Sequence, residues 1–322
     1  MRVLLTGASG VIGTRLVPQL IDRGHDVIGT STSTGSAERV RALGAEAILL
    51  DLLDPRAVRE AVREAQPDAI VHQATALANV RFTRKLDESF VMTNRLRTEG
   101  TDALLDAARE AGTSRFVAQS FAGMRYERTG GPVKSEDDPL DPAPLEGMRE
   151  VAAAMVHLER AVTAAGGIVL RYGGFYGADN DGLVEPVRRR RFPIVGDGGG
   201  VMSFVHLEDA VTAIVLALEY DGPAVFNIVD NEPAPVREWL PVLATALDAK
   251  PPRRVPVWLA RLLAGETAVM LGTEARGASN AKARRELGWT LRYPTWRQGF
   301  AAVYARAPAF PARSVPAPAR SR

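Results

Sequence analysis

Thr6-Gly7-Ala8-Ser9-Gly10-Val11-Ile12-Gly13 follows the apolar run Arg2-Val3-Leu4-Leu5 and opens an amphipathic run that extends to Arg23. The order reads as a buried strand, a tight glycine turn and a helix. Gly7 supplies a backbone conformation that a side chain would resist. Gly10 lets the main chain approach a pyrophosphate, and Gly13 lets the new helix pack close to the strand. Ser9, Val11 and Ile12 lie where the helix begins, with free N–H groups and the positive end of the helix dipole available to phosphates. The strand–turn–helix context, rather than the glycine pattern alone, makes this a dinucleotide site.

The bulk composition is that of a soluble globular chain: 322 residues, 46% hydrophobic and 24% charged. Absence of cysteine excludes disulfides, thiolate nucleophiles and cysteine metal sites, and the four scattered histidines have no metal-ligand spacing. No run approaches the roughly 20 apolar residues of a membrane span, and the short apolar start does not look like a signal peptide, so a cytoplasmic protein is expected, with no membrane partner. The pI near 9.0 suggests nucleic acid, but its cause is local. Arg306, Arg313, Arg320 and Arg322 sit in an acid-free Pro/Ala/Arg tail, and without them the formal charge of +2 becomes −2. Residues 306–322 are expected to be a disordered tail, and no nucleic-acid partner is expected.

Strand and helix patterns alternate along the first half of the chain. Strands are expected at His25–Thr30, Ala47–Leu50, Ala69–Val71, Arg115–Gln119 and Ile168–Leu170, and helices at Ser36–Leu43, Pro55–Ala65, Leu86–Ala111 and Leu145–Ala165. This predicts an α/β fold with a doubly wound parallel sheet of Rossmann type and right-handed crossovers. After the second strand, an acid would hold the ribose of NAD, whereas an arginine nearby would favour the phosphate of NADP. Thr30-Ser31-Thr32-Ser33-Thr34 carries hydroxyls and no acid, and Arg39 lies just beyond. That tilts the cofactor from NAD toward NADP, with Thr32 as a contact. Gln73, Ala74 and Thr75, after the fourth strand, lie where a nucleotide would cross the sheet. Phe121–Pro144 reads as a long loop. Arg188-Arg189-Arg190-Arg191 reads as a solvated helix end before it reads as an anion clamp.

The chain resembles an extended short-chain dehydrogenase/reductase of the NAD-dependent epimerase/dehydratase type. The resemblance is carried by Thr6–Gly13, Asp51-Leu52, His72–Ala76, Asn94 with Gly100-Thr101, and Leu170-Arg171 with Tyr176-Gly177. It is carried further by Gly196-Asp197-Gly198, Phe204–His206 with Asp209, Phe226-Asn227-Ile228 and Glu286–Trp289. It implies cofactor contacts at Asp51 and Leu52. It implies a Rossmann domain over residues 1–173, to which 204–230 return, and a smaller, mostly helical C-terminal substrate domain from 174–203 and 231–305. It also implies a small-molecule substrate between the two and, by analogy, a homodimer.

One departure matters for chemistry. The family uses Tyr-x-x-x-Lys, the tyrosine as acid/base and the lysine to lower its pKa and hold the ribose. Four residues after Tyr126, Tyr172, Tyr176, Tyr220, Tyr293 and Tyr304 stand Gly130, Tyr176, Asn180, Ala224, Arg297 and Pro308, so the motif is absent. With Glu159 taken as the family's acid further along the same helix, the tyrosine position falls on Val151 and the lysine position on Met155. At the end of the fifth strand Ser120 takes the first hydroxyl position and Phe121 the second. Three functions stay open on this reading. The first is an oxidoreductase or epimerase with a relocated proton donor, the candidates being Tyr126, Tyr172 and Tyr176 with help from Ser120. The second is a non-redox isomerase or cyclase, and the third a catalytically silent NAD(P)-binding sensor. A substrate reactive enough to need no strong acid favours the first. Arg171 pairs with either a substrate anion or a neighbouring acid.

Overall fold

In the computed structural model, which describes residues 1–77, 86–123, 125–177 and 182–304, seven strands form one parallel sheet. They are β1 (Arg2–Thr6), β2 (Asp26–Ser31), β3 (Glu46–Leu49), β4 (Ala69–His72), β5 (Arg115–Phe121), β6 (Ile168–Tyr172) and β7 (Ala224–Ile228). Their order is β7-β6-β5-β4-β1-β2-β3. All six pairings are parallel. The order reverses between β1 and β4, which opens a crevice at the carboxyl ends of those strands. The tail at 306–322 lies outside the described residues.

Period-two alternation feeds two cores. Val3, Leu5, Val27 and Val71 face one side and pack with α1 (Gly13–Asp22), α2 (Thr34–Ala42) and the helix Leu207–Glu219. Leu4, Ile28, Ile70 and Val169 face the other, against α3 (Pro55–Ala65), α5 (Thr101–Ala111) and α6 (Arg149–Ala164). A sheet covered on both faces has apolar residues on both phases of its strands, as the sequence of β1 and β4 shows. Pro55 stands at the first turn of α3 behind the Asp54 cap, whose carboxylate accepts from the Arg56 and Ala57 amides.

The run expected as one helix over Leu86–Ala111 is interrupted. It comprises α4 (Leu86–Arg95), a π-helical turn at Leu96–Gly100, and α5. The expected loop after β5 also carries structure: Val133–Lys134 pairs with Gly277–Ala278, and Tyr126 bridges Leu140. A third core gathers Tyr176, Phe204, Trp239, Leu240, Trp296 and Phe300 beyond the sheet. Helices at Glu266–Thr273 and Trp296–Tyr304 complete that part, and periodicity over such short runs did not reveal them.

Candidate functional site

Two features of the glycine turn fit it to a dinucleotide. Gly7 has φ +75°, and a Cβ there would lie 2.7 Å from the Gln73 carbonyl oxygen. A Cβ on Gly13 would lie 2.4 Å from the Gly7 and Ala8 oxygens. These two glycines therefore bring β1, α1 and the end of β4 into backbone contact. At Gly10 a Cβ would meet only the Gly7 oxygen, at 3.2 Å, so this residue faces open space. Gly10 and Val11 are exposed, Ser9 is half-buried, and Ile12 is buried without side-chain capping of α1. The amides at the start of α1 are thus left for a ligand.

Some of the buried polar atoms that have no hydrogen-bond partner among the described residues lie along this carboxyl edge: Ser31 Oγ at the end of β2, and both amide atoms of Asn94 on α4. Gln73, beyond β4, approaches the Tyr172 hydroxyl at the end of β6, but neither group completes a well-formed hydrogen bond. Thr32 is exposed and Ala74 and Thr75 are half-buried. Asp51 is exposed and accepts from the Leu53 amide at 2.9 Å, while Leu52 is buried under Gly100. Ser33 caps α2, and Arg39 donates to Ser36 Oγ at 3.0 Å. His72 sets Nδ1 2.7 Å from Thr6 Oγ1, and burial lowers its pKa to about 4, so it is a neutral strut.

Beside this edge lies a buried ionic cluster. Glu159 of α6 receives Arg125 at 2.6 and 2.8 Å, Arg171 at 3.1 and 2.8 Å, and the Ser120 hydroxyl at 2.6 Å. Burial alone would raise the Glu159 carboxyl, but the two guanidinium groups outweigh it and hold it below its ordinary value. Tyr126 donates to Asn227 Oδ1 at 2.9 Å and accepts from Arg171 Nη1 at 3.2 Å. Burial pushes its phenol up. The structure thus brings Ser120, Tyr126, Arg171 and Glu159 together, with Ser120 and Tyr126 spent on internal partners. Tyr172 is buried in the core below the sheet edge. Tyr176 is buried elsewhere, edge-on to His206 and Phe300, with its hydroxyl against Gly299. Burial raises the phenols of both.

Val151 and Met155 lie in an apolar cluster with Leu86, Phe90, Met148 and Met270. Next to it a cleft is lined by Arg125, Arg128, Arg276, Leu145, Met148 and Met270. Within the arginine run, Arg189 pairs with Glu185 one turn earlier, and Arg190 donates to the Pro251 carbonyl at 3.0 Å.

The model of the NAD dependent epimerase/dehydratase family matches residues 3–228. The chain belongs to this family. A Streptomyces protein named 3-diazoavenalumate denitrifying reductase is 43% identical over 93% of this chain and 99% of its own length. A Stigmatella aurantiaca ketoreductase that acts on a farnesylated dihydroquinoline oxide is 30% identical over 96% of this chain and 97% of its own. The Thermus thermophilus UDP-glucose 4-epimerase, solved in complex with NAD, superposes with a TM-score of 0.73 at 26% identity, covering 94% of this chain and 98% of that one. The fold is thus that of the family's Rossmann enzymes, and the chain is an enzyme of the oxidoreductase/epimerase type. When bound, the family's nicotinamide cofactor exchanges hydride with substrate. The residues that would hold it are the open glycine turn and the partnerless polar atoms along the sheet edge.

Sequence reading missed Arg97 and Arg125. For Arg97 a signal existed: Phe90, Asn94, Arg97, Thr101 and Leu104 share the buried helix face, so a charge stands at a core position of an apolar stripe. Arg125 carried no such mark, because it lies in irregular chain.

Proposed function

We propose that this protein is an NADPH-dependent reductase that adds hydride to an electrophile reactive enough to need no proton donor. The substrate class we assign is an aryl diazo acid, which loses its nitrogen as N2. The observation that carries this reading is the apolar cluster around Val151 and Met155, where the family's acid/base pair would stand. Carbonyl reduction and sugar epimerisation both require a proton at oxygen, and general acid help is worth about 10²–10⁴-fold. Here Tyr126 and Ser120 are committed to buried partners, and no lysine follows any tyrosine at the required spacing.

Hydride replacement of a diazonium group balances without an acid. The C–H bond forms, the C–N bond breaks, the bonding pair leaves with nitrogen, and the cation becomes a neutral arene. The task left to the protein is to position the ring and exclude water. Leu145, Met148 and Met270 put apolar side chains at the adjoining cleft, where Arg128 is paired with Asp141 and Glu274. The name and high coverage of the Streptomyces relative support the same class. The hydroxyl run at Thr30–Thr34, with Arg39 beyond it, supports NADPH over NADH.

The test is an anaerobic assay with a hydroxyaryl diazonium acid and NADPH deuterated at the transferable position. Deuterium on the ring carbon, with one N2 released per NADPH oxidised, is the expected result. Oxidation of cofactor only with ketones, or deuterium-free product, would overturn the assignment.

A further inference from the structure

We propose that Arg97 is the cation that grips the nicotinamide-ribose end of the bound dinucleotide, in place of the lysine that Met155 does not provide. The proposal rests on the reading of the sheet edge as a dinucleotide site.

Arg97 is 4% exposed, and its Nε and Nη1 have no hydrogen-bond partner among the described residues. The buried acid nearest in its electrostatics is Glu159, but that carboxylate is already saturated. Five donor contacts, from Arg125, Arg171 and Ser120, converge on its two oxygens. A carboxylate has about four lone-pair sites, so Arg97 is left over. Burial lowers its pKa to about 10, with repulsion from Arg125 adding to the effect, and it stays charged at neutral pH. A buried charge with donors facing no partner is strongly unfavourable, and a ligand with acceptor oxygens removes that penalty.

The location identifies the ligand. Arg97 lies on the π-helical turn, a device frequent at functional sites. That turn is seated on the end of β4: His72 Nε2 lies 3.4 Å from the Leu96 carbonyl, and the Ala76 amide donates to Thr93 Oγ1 at 3.1 Å. His72 in turn holds Thr6, the first residue of the glycine turn. Asn94, three residues before Arg97 on the same buried face, has neither its amide oxygen nor its nitrogen partnered among the described residues. A guanidinium that only donates, beside an amide that donates and accepts, matches a vicinal diol. On a dinucleotide laid out from the glycine turn, that diol belongs to the nicotinamide ribose.

The experiment measures binding by the whole chain. NADPH affinity is read from nicotinamide fluorescence, and the affinity of adenosine 2′,5′-bisphosphate, which lacks the nicotinamide ribose, from its competition. Arg97→Met should weaken NADPH by about tenfold or more, as expected for lost charge-assisted hydrogen bonds. Arg97→Lys should weaken it less, and both variants should hold the bisphosphate within about twofold of the parent. The thermal midpoint of Arg97→Met should not fall, because an unneutralised buried charge is removed, whereas a structural ion-pair role would lower it. Unchanged NADPH binding in Arg97→Met, equal loss of both ligands, or a lowered midpoint would overturn the proposal alone. A parent chain that binds neither NADPH nor NADH would overturn the site reading as well.

Discussion

Arg171 and Glu159 meet through two hydrogen bonds, Nε to Oε1 at 3.1 Å and Nη2 to Oε2 at 2.8 Å, which join β6 to α6 in the interior. Arg125 holds the same carboxylate from the loop after β5. Glu159 is therefore the counterion for two buried guanidinium groups. Glu159→Ala should cost about 3–5 kcal/mol of stability, the usual consequence of leaving buried charge uncompensated. Urea unfolding followed by circular dichroism measures it, and a loss below about 1 kcal/mol would contradict the electrostatic account.

Tyr126 donates to Asn227 and accepts from Arg171, so its hydroxyl serves the packing of the loop against β6 and β7. Tyr126→Phe should lower stability by about 1–2 kcal/mol, since it strips one partner from buried polar groups. Hydride transfer should stay within about threefold of the parent in single-turnover measurements. A loss of a hundredfold, with folding intact, would restore Tyr126 as an acid/base.

Much of the fold was legible because its signals are local. Short apolar runs marked β1 and β4, and a proline at its first turn marked α3. Gly7 and Gly13 could be assigned from spacing because each serves a backbone contact that only a missing Cβ allows. Legibility ended where chemistry depends on partners distant in sequence. The partners of Ser120 and Tyr126 could not be read from the sequence, because Glu159 lies 39 residues from the first and Asn227 lies 101 from the second. Arg171 carried both readings in the sequence, and its contact with Glu159 decides between them. The π turn also escaped detection, since one wide turn does not disturb an apolar stripe enough to show.

Ser33, Ser36 and Arg39 form a chain of hydrogen bonds at the start of α2, with Ser33 Oγ 3.1 Å from Ser36 Oγ and Arg39 Nη2 at 3.0 Å from it. This group can turn toward a 2′-phosphate at the end of β2. Arg39→Ala should weaken NADPH by about three- to tenfold at low salt and leave NADH unchanged. Parallel titrations with the two cofactors decide it, and equal effects on both would remove Arg39 from cofactor selection.

His72 and His206 should make the fold acid-sensitive. Burial lowers each from the ordinary 6.5 to about 4, with Arg15 and Arg292 adding to the effect at His206. Between those values the unfolded chain binds a proton at each site and the folded chain does not, so stability falls as pH drops from about 6.5 to about 4. His72→Asn can still reach Thr6 but does not titrate, and it should flatten that slope by up to one proton. Identical pH profiles for the variant and the parent would show that His72 titrates normally.

Asp230 should act with the opposite sign. It is 1% exposed, and its Oδ1 accepts from the Glu232 amide at 3.0 Å. Burial, reinforced by repulsion from Glu232 and Asp209, raises its carboxyl from 3.8 to about 8. The folded chain therefore keeps a proton that the unfolded chain gives up near pH 4, and stability falls as pH rises from about 4 to about 8. Asp230→Asn reproduces the protonated shape and carries no such cost. The variant should match the parent at or below about pH 4 and melt at a higher temperature at pH 8.5. A variant less stable than the parent at pH 8.5 would mean that the folded protein holds Asp230 as a carboxylate there, satisfied by donors from the Asp230–Trp296 region.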